Sequence, residues 1–83
     1  MTSGPAPVLD AESGRATVVS LGLSDGPTRR LSELGVRVGA TIEVHRRTSG
    51  GGIVIGVAGS RVALDRASAR SITVDQTVLG GGA

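Results

Sequence analysis

The hydrophobic and polar positions of this chain fall into short runs separated by glycine-rich breaks. In "ATIEVHRR", Ala40, Ile42 and Val44 take one side and Thr41, Glu43 and His45 the other. That period-two pattern predicts a strand with one wet face. "RATVVSLGL" (Arg15–Leu23) is rich in β-branched residues and predicts an earlier strand. "IVIGVAG" is almost continuously apolar and predicts a more buried one. "SRVALD" predicts another, with Val62 and Leu64 inward and Arg61 outward, and "SITVD" a last one with Ile72 and Val74 inward. Helical spacing occurs in "SDGPTRRLSELG". Leu31 and Leu34 share a face at i, i+3, Pro27 suits the first helical turn, Asp25 lies near its positive end, and Gly35 stops it. The expected helix is Pro27–Leu34, and Asp65 can cap one further turn, "RASAR".

The predicted order is β–α–β–β–β–(turn)–β. About five short strands joined by tight turns, with one or two short helices, predict a mainly β fold, a small closed or nearly closed barrel. Closure removes the sheet edges that a thin domain cannot otherwise protect. Residues 1–9, which include Pro5 and Pro7, are expected to be a disordered leader. Residues 10–79 are expected to form the barrel, and 80–83 ("GGGA") a flexible tail.

Composition sharpens this picture. The 83 residues contain no Phe, Tyr or Trp, so the core must be aliphatic. Aromatic platforms for stacking bases are missing, and the net charge is only +2, which argues against a nucleic-acid partner. There is no cysteine, hence no disulfide and no thiolate metal site. No apolar run approaches the ~18 residues of a membrane span, and no signal-peptide core follows Met1. The expected location is the cytoplasm, with the membrane reached only through a partner.

"RRTSGGGIVIGVAGSR" (Arg46–Arg61) tests for phosphate chemistry. Gly51 and Gly56 have the spacing of a phosphate-binding loop. However, Val57 stands where the lysine is needed and Ala58 where the magnesium-binding hydroxyl is needed. The dinucleotide glycine pattern also fails, with Ile55 at its sixth position. The stretch therefore predicts a hairpin with glycines at its tip. His45 is the single histidine, and Glu43 lies two residues before it on the same predicted face. These two are the candidate metal ligands, short of the four that a closed site takes. No nucleophile elbow and no acid–base partner set for His45 appears, so no catalytic residue is assigned and the chain is not read as an enzyme. Arg29, Arg30 and Arg37 flank the predicted helix and its following turn. They are either solvated charges, with Glu33 a partner for Arg29 at i, i+4, or a contact patch for an acidic protein surface or anionic lipid.

The run from Arg29 to Val74 resembles the FeoA family of bacterial ferrous-iron transport, and the resemblance extends over about Arg15–Val74. The resemblance rests on Arg30, Leu31, Leu34, Gly35, Val36, Gly39, Ile42 and Val44 in order, then Leu64, Ala69, Ile72 and Val74. Val38 stands where the family often has proline. The resemblance implies an SH3-like barrel. It implies a small accessory or adaptor protein that binds and regulates the FeoB GTPase-transporter, with no catalytic step of its own, and the sequence itself requires no cofactor. It also implies an association with Fe(II). The related C-terminal domain of iron-dependent repressors gives the alternative, a regulatory module acting with a metal-dependent transcriptional repressor. The expected partner-binding residues are Arg29, Arg30, Leu34 and Arg37, on a chain expected to be monomeric.

Overall fold

Alternating aliphatic residues on short strands set the architecture, because each strand must bury one side. In the computed structural model, which describes residues 4–76, the elements are β1 (Pro5–Pro7), a 3-10 turn (Val8–Asp10), β2 (Gly14–Leu21), α1 (Asp25–Glu33), β3 (Thr41–Arg47), β4 (Ile53–Val57), β5 (Ser60–Leu64), α2 (Arg66–Ser71) and β6 (Ile72–Asp75). All six strands join one antiparallel sheet in the order β1-β6-β2-β3-β4-β5. The sheet wraps around an aliphatic core that includes Val18, Ile42, Ile53, Ile55, Ile72 and Val74. Helix α2 leaves the end of β5 and packs on the 3-10 turn and β1. It thereby bridges the two ends of the sheet, giving the nearly closed SH3-like barrel.

Of the inward residues expected for β3, β5 and β6, Ile42, Val44, Val62, Leu64, Ile72 and Val74 are buried, whereas Ala40 is half-buried and precedes β3. The expected disordered leader is corrected. Pro5–Pro7 pairs with β6, and Val8 is fully buried. Prolines read as a sign of disorder, yet they suit an edge strand, where a missing N–H costs no ladder bond. Arg47 fastens this segment, donating from Nε and Nη2 to the Leu9 carbonyl at 3.1 and 2.7 Å. The expected tail at 80–83, and residues 77–79, lie outside the described residues.

Helix α1 starts two residues earlier than expected, after Ser24 as N-cap. Pro27 is still in the first turn, where its missing N–H is harmless. At the other end, Val36 N–H donates to Leu31 O (2.9 Å) and Gly35 N–H to Ser32 O (3.0 Å). These two bonds form a Schellman motif, with Gly35 at φ +104°. The motif's hydrophobic contact joins Leu31 to Val36, both buried. Leu34 is thereby left 43% exposed, although it shares a helical face with Leu31.

Three further glycine positions are dictated by geometry. Gly39, at φ +93°, is the third residue of a turn closed by Ala40 N–H on Arg37 O at 2.9 Å. That is a type II turn with Val38 at its first central position. Gly39 N–H also donates to Val18 O, and Val18 N–H to Ala40 O, making a glycine bulge that starts the β2–β3 ladder. Gly51, at φ +94°, sits at the tip of the β3–β4 hairpin, where Thr48 N–H donates to Gly52 O at 2.9 Å and Thr48 Oγ1 accepts from Gly52 N–H at 3.0 Å. A Cβ on Gly52 would run into the Leu64 carbonyl oxygen.

Helix α2 is capped as expected: Asp65 Oδ1 accepts from Ser68 N–H at 2.7 Å. That bond holds the Asp65 carboxyl below its ordinary value of 3.8.

The turns and the α2 cap make three substitutions testable. Val38→Pro should stabilise the fold by about 0.4–1 kcal/mol, because proline suits the first central position of this turn. Gly52→Ala should cost about 1–3 kcal/mol, because backbone must move; urea unfolding of both variants measures the two changes. The Asp65 cap stabilises fully above the ordinary carboxylate pKa and is lost as pH falls through the lowered folded value. Asp65→Asn should therefore flatten the acid limb of the thermal-stability curve below about pH 4 and leave neutral pH little changed.

Candidate functional site

The expected metal ligands and the expected partner residues occupy different parts of the barrel. Glu43 and His45 lie on the outer face of the sheet. In the ladder, Arg15 pairs with Glu43, Glu43 with Gly56, and Gly56 with Arg61. One row across four strands thus reads Arg15, Glu43, Gly56, Arg61, with three charged residues exposed to solvent. An open groove of about 430 Å³ runs along it, lined by Thr41 and Ser60 as well as by this row and His45.

Strict alternation along β3 breaks at His45. Val44 pairs with Ile55 and Arg46 with Val54, so His45 is the extra residue of a bulge. Its carbonyl is taken by the Ser13 hydroxyl at 3.0 Å. Its ring covers Gly56: a Cβ built there would lie 2.7 Å from Nε2. Gly56 therefore provides the space in which the imidazole rests, a relation that the spacing of residues along one strand does not disclose.

As a metal site this arrangement is incomplete. It offers two donors, and Arg15 and Arg61 line the same groove with positive charge. No group of three His, Cys, Asp or Glu side chains capable of holding a metal occurs among the described residues. The donors present do not fit a resident cation, since a bound metal needs about four ligands and gains nothing from neighbouring guanidinium groups.

The expected partner residues lie on α1 and the turn after it, where Gly35 closes on Val57 and Ala58 at the end of β4. Arg29 and Arg30 are exposed on α1, Leu34 is its C-cap, and Arg37 opens the type II turn that follows. Helix α1 buries Leu31 alone and keeps its other large side chains in water. Two apolar residues missed by the sequence reading belong to the same corner. Val38, at the head of the turn, is 65% exposed, and Val19 is 38% exposed. Val19 directly follows Val18, whose backbone binds Gly39 and Ala40. Val19 and Val38 were available as the apolar residues of "TVVS" and "RVG", but alternation alone assigned no side to either.

A small SH3-like β-barrel with its chemistry-bearing side chains on outer surfaces is the class that fold and site define. The chain belongs to the FeoA family: the model of the FeoA domain matches residues 9–76. Among solved structures it is similar to an iron uptake regulatory protein (FeoA), at 27% identity and a TM-score of 0.74, covering 88% of this chain and 99% of that one. It is also similar to the FeoA protein from Chlorobium tepidum, at 31% identity and a TM-score of 0.75, covering 82% of this chain and 67% of that one. A manganese-dependent transcriptional repressor shares the fold at 20% identity and a TM-score of 0.76, over 93% of this chain and 44% of that one. No curated protein matches. Among the described residues, no helix is long and apolar enough to cross a membrane.

Gly56→Ala should displace the His45 ring while leaving the strand intact, at a cost within about 1 kcal/mol, because a side chain yields where backbone would not. Two-dimensional NMR should show the His45 ring-proton resonances moving. Unchanged resonances would mean that the ring does not rest on Gly56.

Proposed function

We propose that this protein is a cytosolic accessory of ferrous-iron uptake that binds the cytosolic part of an FeoB-type GTPase-transporter and regulates it. The observation that carries this reading is the corner formed by α1 and its turn. Leu34 and Val38 are held in solvent there by a Schellman motif and a type II turn, on the segment that carries Arg29, Arg30 and Arg37. Exposed aliphatic side chains with arginines beside them suit a protein interface, in which apolar anchors supply affinity and charges steer the encounter. Membership of the FeoA family ties the reading to iron transport. The fold shared with a metal-dependent repressor keeps a transcriptional partner as the competing reading.

A pull-down with the intact protein separates the two. Recovery of the transporter's GTPase domain supports the proposal, whereas recovery of a DNA-binding repressor alone would sink it. Leu34→Glu should weaken transporter binding at least tenfold, about 1.4 kcal/mol, with the thermal midpoint nearly unchanged. Joint reversal of Arg29, Arg30 and Arg37 to Glu should slow association and remove its salt dependence. Binding that is indifferent to both sets of changes would place the interface elsewhere.

A further inference from the structure

The sheet ends on two edges of different character. On β1, Pro5 and Pro7 remove two of three backbone donors, a common defence against strand addition. On β5, "SRVAL" carries no proline, no bulge and no inward charge. Its hairpin with β4 turns through Ala58 and Gly59, both at positive φ (52° and 83°). In such a two-residue hairpin Ser60, Val62 and Leu64 exchange hydrogen bonds with β4. The N–H and C=O groups of Arg61 and Ala63 then point away from the sheet, and β5 ends the strand order.

We propose that β5 is a self-pairing edge, through which two copies of this chain join antiparallel into one continuous sheet. The register is complementary to itself. A two-fold axis at Val62 sets Arg61 of one copy opposite Ala63 of the other, so about four backbone bonds form and no arginine faces an arginine. Both residues are exposed on the outer face, so the side chains need no rearrangement. Head-to-tail addition would require the β1 edge, which its prolines disable. The pairing is therefore isologous and closes at two copies. An interface of one short strand pair buries less than about 1,000 Å², which makes it weak. The dimer forms at several hundred micromolar and dissociates near about 20 µM. The α1 corner abuts only the hairpin turn before this strand, at Val57 and Ala58, and the outward groups of Arg61 and Ala63 are argued without the transporter reading.

The test uses the full chain in sedimentation equilibrium and amide hydrogen exchange at about 20 µM and about 1 mM. The mean mass should rise from 8.2 kDa toward twice that value, and exchange at the Arg61 and Ala63 amides should slow at least threefold at the higher concentration. Ala63→Pro removes one outward donor and should abolish both effects without lowering the thermal midpoint. Should that variant fail to fold, Ala63→Arg keeps the backbone and sets like charges opposite each other, weakening the dimer about three- to tenfold. A monomer at 1 mM overturns the proposal. So does a dimer indifferent to both variants, or protection of these amides at every concentration, which would mean that the chain covers its own edge. Slowing that appears only on addition of the transporter domain would assign the edge to a partner strand and would equally overturn it.

Discussion

The core contains only Val, Ile, Leu and Ala side chains, and no polar side chain is buried in it among the described residues. Aromatic rings would each fill 150–250 Å² of contact area. Without them, close packing requires that the walls of the barrel approach one another. The approach shows at Gly52, whose α-carbon lies against the Leu64 carbonyl, and at Gly35, where an added Cβ would stand 3.2 Å from Val57 Cγ2. Glycine is required at both places because backbone or core atoms occupy the space of a side chain. The margin of a domain this small is thin, so these approaches are as important as the larger buried residues.

That narrow barrel dictates where exposed groups can go. Gly35 closes on β4, so α1 must end there and reverse. Val36 then takes the inward place beside Leu31, and Leu34 is turned out. The next turn, Arg37–Ala40, hands the chain to the β2–β3 ladder through the Gly39 bulge and lifts Val38 into solvent. The apolar corner is thus a consequence of two glycine-dependent turns, each closed by its own backbone hydrogen bonds. A surface of this kind can bind without paying much ordering entropy.

The adjacent arginines Arg46 and Arg47 show how similar sequence yields different work. Arg46 stands on the outer face because the His45 bulge resets the alternation, whereas Arg47 reaches back to the Leu9 carbonyl and holds the N-terminal segment. Gln76 acts similarly at the other end of the chain: its amide donates to Glu12 O and accepts from Glu12 N–H. Each of these bonds spans many residues of sequence. They explain why a proline-containing start that reads as loose is built into the sheet.

Alternation in "ATIEVH", "SRVAL" and "SITV", the Leu31–Gly35 helix stop and the Asp65 cap were all legible in the sequence, because strand faces, caps and turns depend on neighbours within a few residues. The family resemblance was legible for the same reason, since its ordered positions are packing and turn residues. The β1 pairing, the His45 bulge over Gly56, the exposure of Val38, and the row Arg15–Glu43–Gly56–Arg61 were not. Each joins residues brought together only by strand register and by the closeness of an aliphatic barrel. Sequence by itself determined which residues are apolar and how each segment folds. Tertiary structure decided which of the remaining residues share a surface, because register and close packing are properties of the whole sheet.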